Sequence, residues 1–335
     1  MCCALALGCA VGGCQTAKPP APHEDIVLRA RNDLARSVAL SPRGEQPEDA
    51  AWLQVQQDDL FRRIRRAGFT AVVLPINFAK VSREEESTDT RISQACLQRI
   101  GRLVKLAQRM GLAVVLSGTM RGDPAAPADR QHYVEDWRQV ADYLAGAPAS
   151  LYFGFLDPSD GRLSPAEWSD LAEAIRHAIR TAQPDRILIV GAPQRGSPAA
   201  LGKLRIAPDT RCIHAFVYDE PKSFTLQGEP ELPGADAWLG TKWSGNIEER
   251  ARLEADLDHA ARWARDNGRI LFCASFGSTD KADPQSRLNW TAAVARALEA
   301  HGIPWCYAAF DGDMGIYDDL WNVWRQPLTG ALLNQ

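Results

Sequence analysis

Short apolar runs of five to seven residues alternate along the chain with longer stretches in which apolar residues recur every three or four positions. The runs IVLRA (26–30), AVVLPI (71–76), LAVVLS (112–117), LYFGFL (151–156), RILIVG (186–191), CIHAFVY (212–218), RILFCAS (269–275) and PWCYAAF (304–310) are rich in β-branched and aromatic residues and read as strands. Between them the spacing is helical. Over 91–110, Ile92, Cys96, Ile100 and Val104 fall four apart, with Leu106 near the same stripe. The segment 164–182 opens Ser164-Pro165-Ala166-Glu167: the serine caps the first turn, the glutamate reaches back to it, and proline takes a position that needs no N–H donor. Glycines 68, 111, 268 and 302 stand where a helix must end before the next strand. Eight βα repeats imply a parallel sheet closed into a (β/α)₈ TIM barrel, spanning 26–335. An open doubly wound sheet is the competing α/β arrangement, but no GxGxxG or P-loop follows a strand to support it.

The segment ahead of the first run changes the picture of where the chain resides. Residues 1–14 are small and apolar, too short to span a bilayer, and residues 15–25 form a proline-rich polar tether. Val11-Gly12-Gly13-Cys14 resembles the lipobox of bacterial lipoproteins, which implies an exported, envelope-bound protein anchored to the membrane by a lipid on Cys14. The alternatives are a plain secretory leader and, third, a cytoplasmic protein, because no lysine or arginine precedes the apolar run as an export leader would have. Against 42 acidic residues stand 38 basic ones, net charge -4, without a basic block, so the electrostatic footprint of a nucleic-acid partner is missing. Cys96, Cys212, Cys273 and Cys306 are scattered singly, and neither they nor the histidines have metal-site spacing, so no metal or other cofactor is expected.

Four segments carry a family resemblance. AGFTAVVLPINF (67–78) resembles the "aGFd.VRiPi.W" segment of glycoside hydrolase family 5, the cellulase family, and FTLQG (224–228) resembles its "FTHQG". SFGSTDKADPQSRLNW (275–290) is similar to "EFGaY.KAD..SR..W" at strand seven, and GIPWCYAAFDGDMGIYD (302–318) to "Gi.WaYWeF..GfGiYD" at strand eight. The resemblance implies the barrel fold, a polysaccharide or oligosaccharide ligand, and an ancestral chemistry resting on two glutamates. Retaining glycosidases hold these about 5 to 5.5 Å apart, one protonating the leaving oxygen and the other attacking the anomeric carbon.

Both glutamate positions have changed. The nucleophile of "EFG" falls on Ser275, whose hydroxyl has no neighbouring base to activate it. His214 does not make it a hydrolase pair, because the nucleophile elbow is missing. The acid of "F-E-l-l-N-E-P" falls on Pro158 without a gap, or on Asp157 if the register slips by one residue; both registers stay open. The arginine of "VRiPi" becomes Val73, the strand-three histidine pair falls near Thr119 and Met120, and the "HYY" and "FTHQG" histidines become Val217 and Leu226. The strand-eight tryptophan becomes Ala308.

The carboxylates left at strand ends are Asp157, Asp219, Glu220, Asp280, Asp311 and Asp313. Asp157 and Asp311, from strands four and eight, are the catalytic pair if activity remains, on the wider spacing of an inverting mechanism. Ordinary turn residues are the competing reading for both. Phe78, Tyr218, Phe224, Trp238, Trp243, Phe276 and Phe310 lie at strand ends or in the long loop 218–245, where flat rings can stack on sugars. For Trp238 and Trp243, pinning of the loop is an equal alternative. The expectation is a carbohydrate-binding or scaffolding barrel of polysaccharide metabolism, impaired in catalysis, with a glycan, the membrane and envelope proteins as partners. An active β-glycanase using displaced carboxylates is the alternative.

Overall fold

Eight parallel strands follow one another around a closed barrel in chain order, and β1 (Arg36–Ala39) closes the ring on β8 (Trp305–Tyr307) with Ser37 opposite Cys306. Between them run β2 (Ala71–Asn77), β3 (Ala113–Thr119), β4 (Leu151–Phe155), β5 (Leu188–Gly191), β6 (Cys212–Tyr218) and β7 (Ile270–Phe276). The computed structural model describes residues 24–40, 57–78, 92–120, 122–156, 162–318 and 320–333. The fold is the expected (β/α)₈ TIM barrel.

Seven of the eight expected strands lie where the apolar runs placed them, and the first does not. IVLRA belongs to helix α1 (Glu24–Asp33), and the strand is the next short run, Arg36-Ser37-Val38-Ala39. The reason is the spacing beyond the run. Ile26, Ala30 and Leu34 are four apart, fall on one helical face, and are buried against Ala71, Tyr152, Ile187, Ile213 and Phe272. Those residues lie in the strands or, for Ile187, just ahead of β5 and face inward, so α1 and Leu34 just after it seal the end of the barrel at which the strands begin. The Tyr152 hydroxyl donates to Asp33 at 2.7 Å and fastens the seal.

The outward strand faces pack under α2 (Gln57–Ala67), α3 (Gln94–Arg109), α4 (Pro127–Tyr143), α5 (Pro165–Ala182), α7 (Ile247–Asn267) and α8 (Pro284–Ala300), with the single turn α6 (Lys222–Thr225) after β6 and α9 (Gln326–Leu333) last. In α5 both halves of the expected capping box form, Glu167 N–H donating to Ser164 Oγ at 3.2 Å and Ser164 N–H to Glu167 Oε2 at 2.9 Å. Gly68, Gly111, Gly268 and Gly302 all take positive φ at helix ends. Cys212, Cys273 and Cys306 are buried free thiols, and Cys96 is half-buried. Among the described residues no helix is long and apolar enough to cross a membrane.

Candidate functional site

At the opposite end, where the strands finish, the described residues enclose a cup of about 260 Å³. Strands β5 to β8 build most of it, and small side chains keep it open: Gly191, Ala192, Ala215, Gly277 and Ala308 all line it. A β-carbon at Gly277 would stand 2.7 Å from that of Ala308, so only glycine lets the ends of β7 and β8 approach this closely.

Ser275 reaches the cup through an irregularity. Cys273 pairs with Phe216 and Ser275 with Val217, so Ala274 is an extra residue in β7. Such a bulge re-aims the following side chain. Along β6 the ordinary alternation holds: Ile213 and Ala215 face the barrel interior, while His214 faces the helix layer against Trp263, ring centroids 5.4 Å apart. His214 therefore does not point into the cup with Ser275.

Among the described residues Asp219, just past β6, is the carboxyl on the cup wall, 3.7 Å from Lys222 Nζ. Burial raises its pKa, against the pull of Lys222. Its backbone is pinned, because Thr225 Oγ1 donates to the Asp219 carbonyl at 2.5 Å. Facing it from the end of β5 is Arg195, which also lines the cup. Gln194, Arg195 and Gly196 take φ of 56°, 63° and 76°, three successive left-handed residues of which two carry side chains. Each such non-glycine costs about 1–2 kcal/mol, a kind of strain that collects at functional sites. Sequence reasoning named Asp219 but passed over Arg195, and the available signal was the turn-rich Pro193-Gln194-Arg195-Gly196-Ser197-Pro198 after strand five.

The other expected site residues are distributed unevenly. Asp157, Pro158 and Cys14 lie outside the described residues. Asp311 is 8% exposed and is not part of the cup lining. Tyr218 and Phe276 contribute to the cup wall, but both rings are buried on Trp290, and the Tyr218 hydroxyl donates to Asp256 at 3.3 Å. Phe224 is buried against the same tryptophan. Phe78 packs edge-on against Trp137 and Tyr133 beneath β2 and β3, and Phe310 stacks on Tyr317 at 4.7 Å. Trp243 is buried under Arg250, whereas Trp238 is half-buried. The long loop between β6 and α7 is thus held from within. Gln227 donates to the Phe224 and Thr241 carbonyls and accepts from Gly240 N–H.

Four positions at which the sequence departs from the cellulase motifs, Val217, Leu226, Ser275 and Ala308, come from three strands and a loop yet line this one cup. The family model described as cellulase, glycosyl hydrolase family 5, matches residues 39–313. The chain belongs to glycosyl hydrolase family 5. Among its relatives, endoglucanase H of Acetivibrio thermocellus is 23% identical over 300 residues, covering 87% of this chain and 32% of its own length, so the chain spans about a third of that protein. Among solved structures, Cel5A of Thermotoga maritima, determined in complex with cellobiose, superposes with a TM-score of 0.83 at 29% identity, covering 90% of this chain and 98% of that one. Cellulose synthase subunit Z of Clostridioides difficile superposes with a TM-score of 0.80 at 25% identity, covering 90% and 99%. Among the described residues no group of three or more His, Cys, Asp or Glu side chains is placed to hold a metal ion.

Proposed function

We propose that this family 5 barrel binds a β-linked glucan chain in its cup and cleaves it slowly or not at all, acting as a binding or scaffolding component of polysaccharide metabolism at the bacterial envelope. One observation carries the reading. The positions that resemble the family's reactive and sugar-contacting residues converge on the cup, and there they are Ser275, Val217, Leu226 and Ala308. The cup keeps the concave form of a glycan site, while Asp219 and Arg195 remain to hold sugar hydroxyls. A serine at the nucleophile position without an activating base offers no covalent step, and loss of one partner in a concerted pair removes most of what the other contributes. The likeness to a cellulose synthase subunit supports a place beside glucan synthesis or export, with Cys14 as the lipid anchor.

The test is a panel of cello-oligosaccharides, mixed-linkage glucans and mannans, read in parallel by thermal shift and by release of reducing sugar. A raised melting temperature without cleavage is expected for at least one β-glucan. No shift across the panel overturns the binding role. Family kinship with endoglucanases favours a second reading, an active glycanase using Asp157 and Asp311. That reading requires time-dependent cleavage that disappears in Asp157→Ala.

A further inference from the structure

The sealed end of the barrel carries a charge pattern at odds with the net negative chain. Arg65 and Arg66 close α2, Arg109 closes α3 and Arg265 lies in the last turn of α7, all at the ends of helices that lead into strand starts. On the sealing helix α1, Arg29 and Arg31 are exposed, and Arg31 reaches over Gly302 in the loop entering β8. Arg65 lies over Gly111 in the loop entering β3, which places these side chains on the same end of the barrel. None of these six forms an ion pair among the described residues.

Some of the acidic side chains at this end are engaged. Asp33 accepts from Tyr152, Asp185 pairs with Arg211 at 3.2 Å, and Glu299 pairs with Arg36 at 2.9 Å. Glu24, Asp25 and Asp266 stand against the six guanidiniums. Helix-terminus electrostatics explains why an arginine suits a last turn. It covers Arg31, in the last turn of α1, but it does not account for Arg29 on that helix, nor for Leu28 beside it, 61% exposed.

We infer that this end is a docking face for an anionic phospholipid bilayer. Basic side chains around an exposed leucine match an interfacial contact, in which arginines meet lipid phosphates and the apolar residue enters the headgroup boundary. The course of the chain agrees. Cys14 stands ten positions before Glu24, a stretch that reaches about 35 Å at most, and α1 receives it at this end. Docked this way, the barrel turns its cup away from the membrane.

The test uses the full chain carrying Cys14→Ser, so that no lipid is attached, sedimented with vesicles of phosphatidylcholine alone or of phosphatidylcholine and phosphatidylglycerol in equal parts. Binding to the anionic vesicles, reversed by salt, is expected. Each arginine at the surface contributes about fivefold to partitioning, so replacing Arg29, Arg31, Arg66 and Arg109 by glutamine lowers it by at least about a hundredfold, and Arg29→Gln with Arg31→Gln alone by about 25-fold. Lys242→Gln, on the loop at the cup end, leaves it within about twofold, since charges beyond a Debye length of the bilayer are screened. The double variant keeps the test decisive if the fourfold variant does not fold. Failure to bind anionic vesicles, equal binding to neutral ones, or equal binding by a folded arginine variant overturns the inference. The glycan thermal shift of the same variants reports on the cup separately.

Discussion

His214 is expected to make the fold pH-sensitive from a place remote from the cup. Its ring is 2% exposed between β6 and Trp263, and its Nδ1 has no hydrogen-bond partner among the described residues. Burial, and secondarily the Arg269 charge, depress its pKa from 6.5 to about 3, while the Cys212 backbone pulls weakly the other way. In the folded chain the imidazole stays neutral where the unfolded chain takes up a proton. Stability is therefore full above the ordinary histidine range and is lost as pH falls from about 6.5 toward 3. Each pH unit inside that window is worth about 1.4 kcal/mol, so lowering pH from 7.5 to 5 costs about 2 kcal/mol through this group alone. Urea denaturation followed by tryptophan fluorescence, at several pH values, measures the loss in the wild type and in His214→Gln. Other titrating groups are common to both proteins and cancel in the difference between the two slopes. The variant is expected to lose about 2 kcal/mol less over this range. Parallel slopes would refute the assignment of a neutral, desolvated imidazole.

Three further outcomes follow from particular contacts. Gly118→Ala places a methyl 2.5 Å from Phe78 Cε2 and 2.7 Å from Trp137, so a destabilisation of about 1–3 kcal/mol is expected in thermal melting. Glu249 Oε2 accepts from Ser244 N–H, Ser244 Oγ, Gly245 N–H and Asn246 N–H at 2.7–3.0 Å. Glu249→Ala should cost about 1–2 kcal/mol and hasten proteolysis within 218–245, as limited digestion will report. Asp219, with its raised pKa, should lose glycan affinity as it protonates above the ordinary carboxylate range, because a carboxylate accepts hydroxyl hydrogen bonds more strongly than the acid. Calorimetric titration over acidic pH should show that slope in the wild type and a flat profile in Asp219→Asn.

Most of the barrel was legible because its strands and helices announce themselves by different periods, and caps such as Ser164–Glu167 mark their ends. The first strand was misread for a physical reason. A five-residue apolar window cannot distinguish a strand from one face of a helix, and the stripe Ile26, Ala30, Leu34 emerges only over nine residues. The cup was legible through motif order, which brought Ser275, Val217, Leu226 and Ala308 to one lining. The aromatic positions were less so. Whether a ring at a strand end faces sugar or packs behind the wall depends on parity and on bulges such as the one at Ala274, and these set Phe276 against Trp290, Trp305 and Tyr307. Arg195 is marked in the sequence only by the turn-rich residues around it, because a left-handed backbone position leaves no trace of its own when arginine occupies it.

The helix that stoppers the barrel also limits how the protein can be trimmed. Ile26, Ala30 and Leu34 are buried against the inward strand residues, so a protease that cuts ahead of Glu24 leaves the stopper in place, whereas one that cuts within 24–34 opens the hydrophobic lumen to water. Trimming and unfolding are thus separated by only a few peptide bonds, and the site of cleavage decides between a shortened, folded chain and a substrate for degradation.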